Sequence, residues 1–445
     1  MTRSQKRRSD TYMGSEMSSK ADILIRNAAV MEDPAEGTVQ EGCVAVSDGL
    51  IAYVGPEEDA PAEAGRVIDA KGALVMPGFY DMHTHLPMNL LRGYADDLPL
   101  QRWLFEKIFP AEAKMTDEMA YWATLGAACE LVRAGIVCVA DMYDHSNAVA
   151  RAVEKSGIRA VLSRGVVTRG SESWQDKIDD AEKLYLDWNG RGRIRVWFSP
   201  HGQYTNTTES IRAIGRLAEK YASGIHTHIS ETRKEHEDCI RETGMTPAAL
   251  YASLGLMDLP FLAAHCVWIT DDDIHLMADK GAACAACPRS NLKLGAGFAP
   301  LARMRRNGMQ VALGTDSAAS NNRLSIMSEM ECGAYVQKTL ERDPAVFPAE
   351  EMIVLACDAG PRILGENGGA LMPGMNADLI MISMEGWRWN PGYSVQSSLV
   401  YAAQDTDVVL TMVGGDVLYE SGVCTFVDEE EVKERLRRYA VQLSL

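Results

Sequence analysis

The chain has 445 residues, of which 47% are hydrophobic and 24% charged, proportions that exclude a mainly disordered or collagen-like protein. That length suits about three average domains, or a single barrel of roughly 250 residues with an appended module. With 62 acidic against 44 basic residues and a net charge of −18, the average surface repels a phosphate backbone, so nucleic acid is not an expected partner.

The first twenty residues, MTRSQKRRSDTYMGSEMSSK, are polar, with a basic cluster at Arg3, Lys6, Arg7 and Arg8 and no hydrophobic period. They read as a loose tail over 1–20, with a basic arm for an acidic partner as the functional alternative. Met13 and Met17 also allow a start placed too early. No secretory segment is expected, and the ten scattered cysteines predict reduced thiols in a cytoplasm. No apolar run approaches the ~18 residues of a membrane helix, so no membrane partner is predicted.

From Ala21 the pattern is short alternating strands, ADILIRNAAV, CVAVSDGLIAYVG and RVIDAKGALVMPG, with Asp48-Gly49 as a hairpin turn. The same texture returns in ADLIMIS from Ala377 and in DVVLTMVGGDVLYESG, where Gly414-Gly415-Asp416 supplies another turn. The two ends are expected to pair into one small β-sandwich domain, residues 21–76 plus 371–445, with a closing helix in DEEEVKERLRRYAVQL. That helix carries a stripe of Val432, Leu436, Tyr439 and Leu443.

Between the ends, over 77–370, strands alternate with amphipathic helical stretches such as ESIRAIGRLAEKYASG. Eight strands are predicted: LVMPGFYDMHTH, GIVCVADMYDH, RAVLSRGVV, IRVWFSPHG, GIHTHISE, FLAAHCVW, GAACAACP and VALGTDS. Eight closes a (β/α)8 barrel, and the fold class is therefore α/β. Most of these strands finish in polar or titratable residues, and barrels carry their chemistry at that end.

His83 and His85, two apart on one strand, point to the same side and can reach one ion. Alone the pair is weak, because histidines on strands are commonly packing residues. His228, His265 and Asp316 each end a separate later strand. Nitrogens with one carboxylate match the set that holds Zn²⁺ or Fe²⁺ and leaves a place for water. Cys284 and Cys287 have CxxC spacing but no second pair, and read as core. Gly295 and Gly297 lack the third glycine of a dinucleotide fingerprint.

PGFYDMHTH from Pro77, HISE from His228, AAHC ending at Cys266 and LGTDSAASNN ending at Asn322 resemble, in order and in kind, the amidohydrolase superfamily, over nearly the whole chain. No lysine stands near the end of the fourth strand, where binuclear members keep a bridging lysine, so the resemblance implies a single divalent metal ion, Zn²⁺ or Fe²⁺. LLRGYADDLPLQRWLFEKIFPAEAK and SNLKLGAGFAP look like the branch that deaminates 5′-substituted adenosines: S-adenosylhomocysteine, methylthioadenosine, 5′-deoxyadenosine or adenosine. The resemblance implies His83, His85, His228 and Asp316 as metal ligands. It places His265 just outside them, polarising the attacking water, and makes Glu231 the acid that protonates the ring nitrogen.

Independently of that resemblance, exchanging an exocyclic amine for oxygen needs a hydroxide near neutral pH, which a divalent cation provides by lowering the pKa of its water to ~7. It also needs an acid and a shuttling base, roles assigned to Glu231 and Asp316. The resemblance further implies Glu112 at the ribose hydroxyls, Arg164 and His201 near the nucleoside, and Ser320 as another contact. Trp103 reads first as a core anchor and second as a base-stacking lid. A homo-oligomer is expected by analogy, with Arg169 or Lys177 as the cation a neighbouring subunit would offer a substrate carboxylate. Three positions depart from the family pattern: Trp268 and Ala286 stand in place of histidines and Ser317 in place of glycine, and they are expected to alter the pocket rim. The alternatives are an aminohydrolase or chlorohydrolase of guanine, pterin or triazine rings, and, from another class, a non-catalytic scaffold.

Overall fold

The computed structural model describes residues 20–170 and 174–444; the tail expected over 1–20 lies, except for Lys20, outside the described residues. Five strands open the chain: β1 Lys20–Val30, β2 Gln40–Ser47, β3 Leu50–Gly55, β4 Glu63–Asp69 and β5 Leu74–Pro77. Eight follow in the middle: β6 Phe79–Thr84, β7 Ile136–Tyr143, β8 Arg159–Val166, β9 Ile194–Pro200, β10 Ile225–Ile229, β11 Phe261–His265, β12 Ala283–Ala286 and β13 Gln310–Leu313. The chain ends with β14 Leu379–Ile382, β15 Val408–Val413, β16 Asp416–Glu420 and β17 Val423–Cys424.

The outer strands join as one nine-stranded sheet in the order β17-β16-β15-β14-β5-β1-β2-β3, with β4 beside β1. The two chain ends meet where β14 runs antiparallel to β5. Strands far apart in that order share one apolar core, Val44 and Val46 of β2 with Leu410 and Met412 of β15. Both hairpin turns read from the sequence are present. Asp48 and Gly49 (φ 52 and 76) join β2 to β3, and Gly414 and Gly415 (φ 51 and 81) join β15 to β16. Consecutive left-handed residues of this kind match the twist of the flanking strands.

Strands β6 to β13 form a second, all-parallel sheet in sequence order. It closes into a barrel through a bridge between Thr84 and Asp316, where the Asp316 N–H donates to the His83 carbonyl at 2.8 Å. The strands are almost wholly buried, as a parallel sheet wrapped in helices requires. The helix Thr208–Lys220 is representative: Ile211, Ile214 and Ala218 face inward, and the Thr207 side chain caps its start.

Two features differ from the sequence reading. The first predicted strand is two: β5 belongs to the nine-stranded sheet and β6 to the barrel. Gly78 stands between them, where a Cβ would lie 2.2 Å from a Val137 methyl. The closing helix Glu429–Ser444, assigned on sequence to the sheet unit, packs along the barrel helix Asp117–Arg133. Its Val432 and Leu436 lie against Gly126, Arg435 sits 4.9 Å over the Trp122 ring, and the Tyr439 hydroxyl donates to Glu118 at 2.8 Å. We propose the unit boundaries near 77 and 371, with this helix as the element returned to the barrel. The two units are pinned together by Asp378, whose carboxylate accepts from Arg159 of β8 at 2.9 Å and from the Gly414 N–H at 2.7 Å. Among the described residues no helix is long and apolar enough to cross a membrane.

The seam that closes the barrel is tight. A Cβ on Gly314 would stand 2.8 Å from the His83 nitrogen and 3.0 Å from its carbonyl oxygen, both backbone atoms that cannot rotate away. Gly314→Ala is therefore expected to cost ~1–3 kcal/mol by overpacking, read as a lower melting temperature than wild type; an unchanged melting temperature would show that the seam yields.

Candidate active site

At the carboxyl end of the barrel, β6, β10, β11 and β13 bring His83, His85, His228, His265 and Asp316 together. His83 is wholly buried, and His228, His265 and Asp316 nearly so. Ring centroids lie 4.8 Å apart for His83 with His85 and for His83 with His228, and 5.4 Å apart for His228 with His265. The Asp316 Oδ1 atom lies 3.3 Å from His85 Nε2 and 3.7 Å from His83 Nε2. Two overlapping sets, His83–His85–His228 and His83–His265–Asp316, each keep their donor atoms within 4.8 Å of one another.

The outer nitrogens orient these rings. His85 Nδ1 meets the Met142 carbonyl at 2.5 Å, His228 Nδ1 the His201 carbonyl at 2.5 Å, and His265 Nδ1 the Asn291 side-chain oxygen at 2.9 Å. An oxygen there takes the ring proton and leaves the Nε2 lone pair turned inward. Asp316 is held likewise: Ser290 and Ser320 both donate to Oδ2, which leaves Oδ1 toward the histidines.

These residues fit a divalent cation. The buried His83 Nε2 has no hydrogen-bond partner among the described residues, and imidazole nitrogens with one carboxylate oxygen are a zinc donor set. Burial, with the neighbouring histidines, holds His83 and His228 far below the ordinary imidazole value, so they stay neutral as ligands must. Burial also opposes a charge on His85, but its hydrogen bond and attraction to Asp316 win and push it up to about 9. The site thus draws in positive charge, which a cation would supply in place of that proton.

Glu231 follows His228 by three residues, is buried, and places Oε2 4.0 Å from His265 Nε2. Burial lifts its carboxyl above the ordinary value against the pull of His265. Its backbone is clamped by Glu235, whose two carboxylate oxygens accept the Ser230 and Glu231 N–H groups at 2.8 Å each. Ser230, His265, Cys266 and Asp316 all have positive φ, 49, 70, 51 and 57. Such strain is tolerated where surrounding bonds over-determine the backbone, and here it turns the strand ends sharply at the site.

A cleft of about 300 Å³ opens over this cluster. One wall is apolar, from Leu100, Trp103, Leu104 and Phe109, and Glu112, Arg164 and His201 also line it. Burial pushes the Glu112 carboxyl up to about 7 against a hydrogen bond from Tyr143. Arg164 pairs with Asp144. Trp103 is both buried core and cleft wall.

Other expectations are corrected. Ser320 does not line the cleft, because its hydroxyl is spent on Asp316. Lys177 lines the cleft of its own chain and donates to the Val167 carbonyl, whereas Arg169 is paired with Glu242 at 2.8 Å. Of the three departures from the family pattern only Ser317 reaches the cleft. Trp268 turns away to donate to the Ala296 carbonyl at 2.7 Å, and Ala286 is buried at the end of β12. Cys284 and Cys287 are buried free thiols. Tyr143 and Tyr204 line the cleft without having been singled out. The sequence assigns no role to Ser290, Glu235 and His226, although Ser290 opens SNLKLGAGFAP and the other two lie within a few residues of HISE.

Behind Asp316, the buried Glu329 accepts from Asn321 at 2.7 Å and from the Arg289 N–H at 3.0 Å. Burial pushes its carboxyl from the ordinary 4.5 up to about 8. Between 4.5 and about 8 the folded protein therefore holds a proton that the unfolded chain has released. That contribution to stability is complete below 4.5 and is lost as pH rises through about 8. Glu329→Gln has no such loss, so its melting-temperature deficit against wild type is expected to shrink between about pH 6 and about pH 9; a deficit that widens would contradict the buried neutral carboxyl.

Residues 74–418 match the model of the Amidohydrolase family. A 5-methylthioadenosine/S-adenosylhomocysteine deaminase of Symbiobacterium thermophilum is 42% identical over 430 residues, covering 95% of this chain and 99% of that protein. A 5′-deoxyadenosine deaminase of Methanosarcina mazei is 37% identical over 427 residues, covering 95% and 98%. Among solved structures, an adenosine deaminase from Xanthomonas campestris with bound zinc superposes with a TM-score of 0.91 at 32% identity, covering 96% of this chain and 99% of that one. With its histidines and aspartate gathered at the barrel mouth and a family match running across both units, this chain belongs to the amidohydrolase family.

Proposed function

We propose that the protein is a metal-dependent hydrolytic deaminase of adenosine-type nucleosides, converting S-adenosylhomocysteine, methylthioadenosine, 5′-deoxyadenosine or adenosine and water to the inosine analogue and ammonia. The observation that carries this reading is the buried Glu231 carboxyl, raised in proton affinity, set beside the histidine and aspartate cluster at the floor of a cleft with one apolar wall. The names of the relatives support the choice of ring.

In this reading His83, His85, His228 and Asp316 hold one divalent ion, with Zn²⁺ favoured by the nitrogen-rich donor set over Fe²⁺. When bound, the ion supplies Lewis acidity that makes water a nucleophile near neutral pH. The chain supplies the rest. Glu231 donates a proton to the ring nitrogen next to the attacked carbon, taking up the electron density that arrives there. His265, oriented through Asn291, polarises the incoming water. The Asp316 carboxylate accepts one water proton and passes it to the departing amine, and the hydroxyl proton left on the attacked carbon returns to Glu231 as the new carbonyl forms, while Ser290 and Ser320 hold the carboxylate through Oδ2. Outside the reacting centre, Glu112 accepts from the ribose hydroxyls, His201 and Arg164 border the nucleoside, and Trp103 with its apolar neighbours excludes water. Lys177 of the same chain faces the cleft, so a substrate carboxylate needs no cation from a second subunit, and a homo-oligomer rests on family analogy alone. A cytoplasmic site of action fits a nucleoside substrate.

The test is ammonia release, with the adenine-to-hypoxanthine ultraviolet change, from zinc-loaded protein across adenosine, 5′-deoxyadenosine, methylthioadenosine, S-adenosylhomocysteine, guanine and a triazine. Turnover of at least one nucleoside is expected. Turnover of guanine or triazine alone would overturn the nucleoside reading, and silence on all six with metal bound would favour a scaffold. Glu231→Gln is expected to keep the metal and lose ~10²–10⁴ in kcat, the share a positioned acid supplies; near-normal turnover would remove Glu231 from the mechanism. Asp316→Asn is expected to lose metal and activity together, and a fully metallated, fully active variant would contradict its place in the site.

A further inference from the structure

No step of the reaction above uses His226. It stands two residues before His228 on β10, so both side chains point into the barrel. Its ring is wholly buried, and its Nε2 lies 2.9 Å from His83 Nδ1. The two rings are nearly perpendicular, at 86° with centroids 5.0 Å apart.

This contact differs in kind from those of the other three histidines. His85, His228 and His265 present Nδ1 to oxygen atoms, which in a carbonyl or a side-chain amide can only accept, so their tautomers follow. The partner of His83 is an imidazole nitrogen, which accepts in only one of two neutral tautomers. Among the described residues, two buried imidazole nitrogens are left without a hydrogen-bond partner, His83 Nε2 and His226 Nδ1. They are the outer ends of the same pair. If His83 is to offer its Nε2 lone pair to an ion, its proton sits on Nδ1. His226 Nε2 must then be bare, and the His226 proton sits on Nδ1.

We propose that His226 is a positioning residue: by accepting the His83 Nδ1–H it holds His83 in the tautomer and orientation that aim Nε2 into the metal site. This rests on the metal reading given above. A side chain that only filled the barrel interior would be replaceable by any apolar group of similar size, whereas an acceptor would not. Losing such an outer partner typically costs 10–100-fold in metal affinity.

The experiment compares wild type, His226→Leu and His226→Gln, measuring Zn²⁺ affinity by chelator competition and the visible absorption of the Co²⁺-loaded protein. Leu, with no acceptor, is expected to weaken binding ~10–100-fold and to change the Co²⁺ spectrum; Gln, whose amide oxygen can take the same proton, is expected to recover much of both. Wild-type affinity and an unchanged spectrum in the Leu variant would overturn the proposal. Nitrogen-15 histidine spectra of the unmutated, zinc-loaded protein decide the matter even if Leu does not fold. The expected His226 tautomer has a proton on Nδ1 and a bare Nε2, and a protonated Nε2 would overturn the proposal. If wild type itself bound no metal, the site reading would fall first and take this inference with it.

Discussion

Everything at the site depends on how the barrel closes. Strands β6 and β13 meet where the Asp316 N–H reaches the His83 carbonyl and the Thr84 hydroxyl reaches the Asp316 carbonyl, so the closing seam sets His83 beside the Asp316 carboxylate. Around that seam the chain has no room to adjust. Gly314 lies against the His83 backbone, and Asp81 accepts the Thr315 N–H at 2.9 Å as well as its hydroxyl. A displaced first strand would move His83, His85 and Asp316 together. The clustering of these side chains is thus a property of the closed fold, and the helices that wrap the barrel stabilise it by burying both faces of its strands.

Burial makes these groups reactive, and it would destabilise them if they were unpaired. The structure answers with a ring of outer hydrogen bonds: carbonyls of Met142 and His201, the Asn291 amide, two serine hydroxyls on Asp316, and the Glu235 carboxylate on the backbone of Glu231. Those on the histidines and Asp316 each leave one chosen atom of their neighbour facing inward, and Glu235 fixes the backbone that carries Glu231. The inward-facing cluster and the satisfied hydrogen bonds around it are the same arrangement seen from two sides, and for that reason substitutions at these outer partners are expected to disturb the proposed ligands and acid without touching either.

Much of this was legible in the sequence, for a physical reason. Strands buried on both faces appear as apolar runs, and polar residues at their carboxyl ends have no packing reason to be there, so His83, His228, His265 and Asp316 stood out. The motifs HISE and GTDS point to an acid and a carboxylate through their family resemblance, which the chemical need for an acid and a shuttling base supports. The unread parts depend on which partner a segment finds. LVMPGFYDMHTH is apolar through Gly78, and nothing local says that its first half pairs with β14 and its second with β7. The stripe on the last helix was plain, but its resting place on Asp117–Arg133 was not. Ser320 and Trp268 were placed by analogy with a substrate contact and a rim, and their hydrogen-bond partners turn them elsewhere. Arg169 or Lys177 was expected across a subunit boundary by family analogy alone, and Lys177 also lines the cleft of its own chain. His226 had a readable signal, the parity of HTH on a strand, but its meaning lies in the ring it touches.

In the proposed mechanism one ion, held by His83, His85, His228 and Asp316, enables the deamination. The decisive experiment strips the protein of metal and titrates Zn²⁺ back while following ammonia release from a nucleoside substrate. Activity is expected to be absent at the start, to rise in proportion to added metal, and to stop rising at one equivalent per chain. Full activity in the stripped protein, or a rise that continues to a second equivalent, would contradict the account.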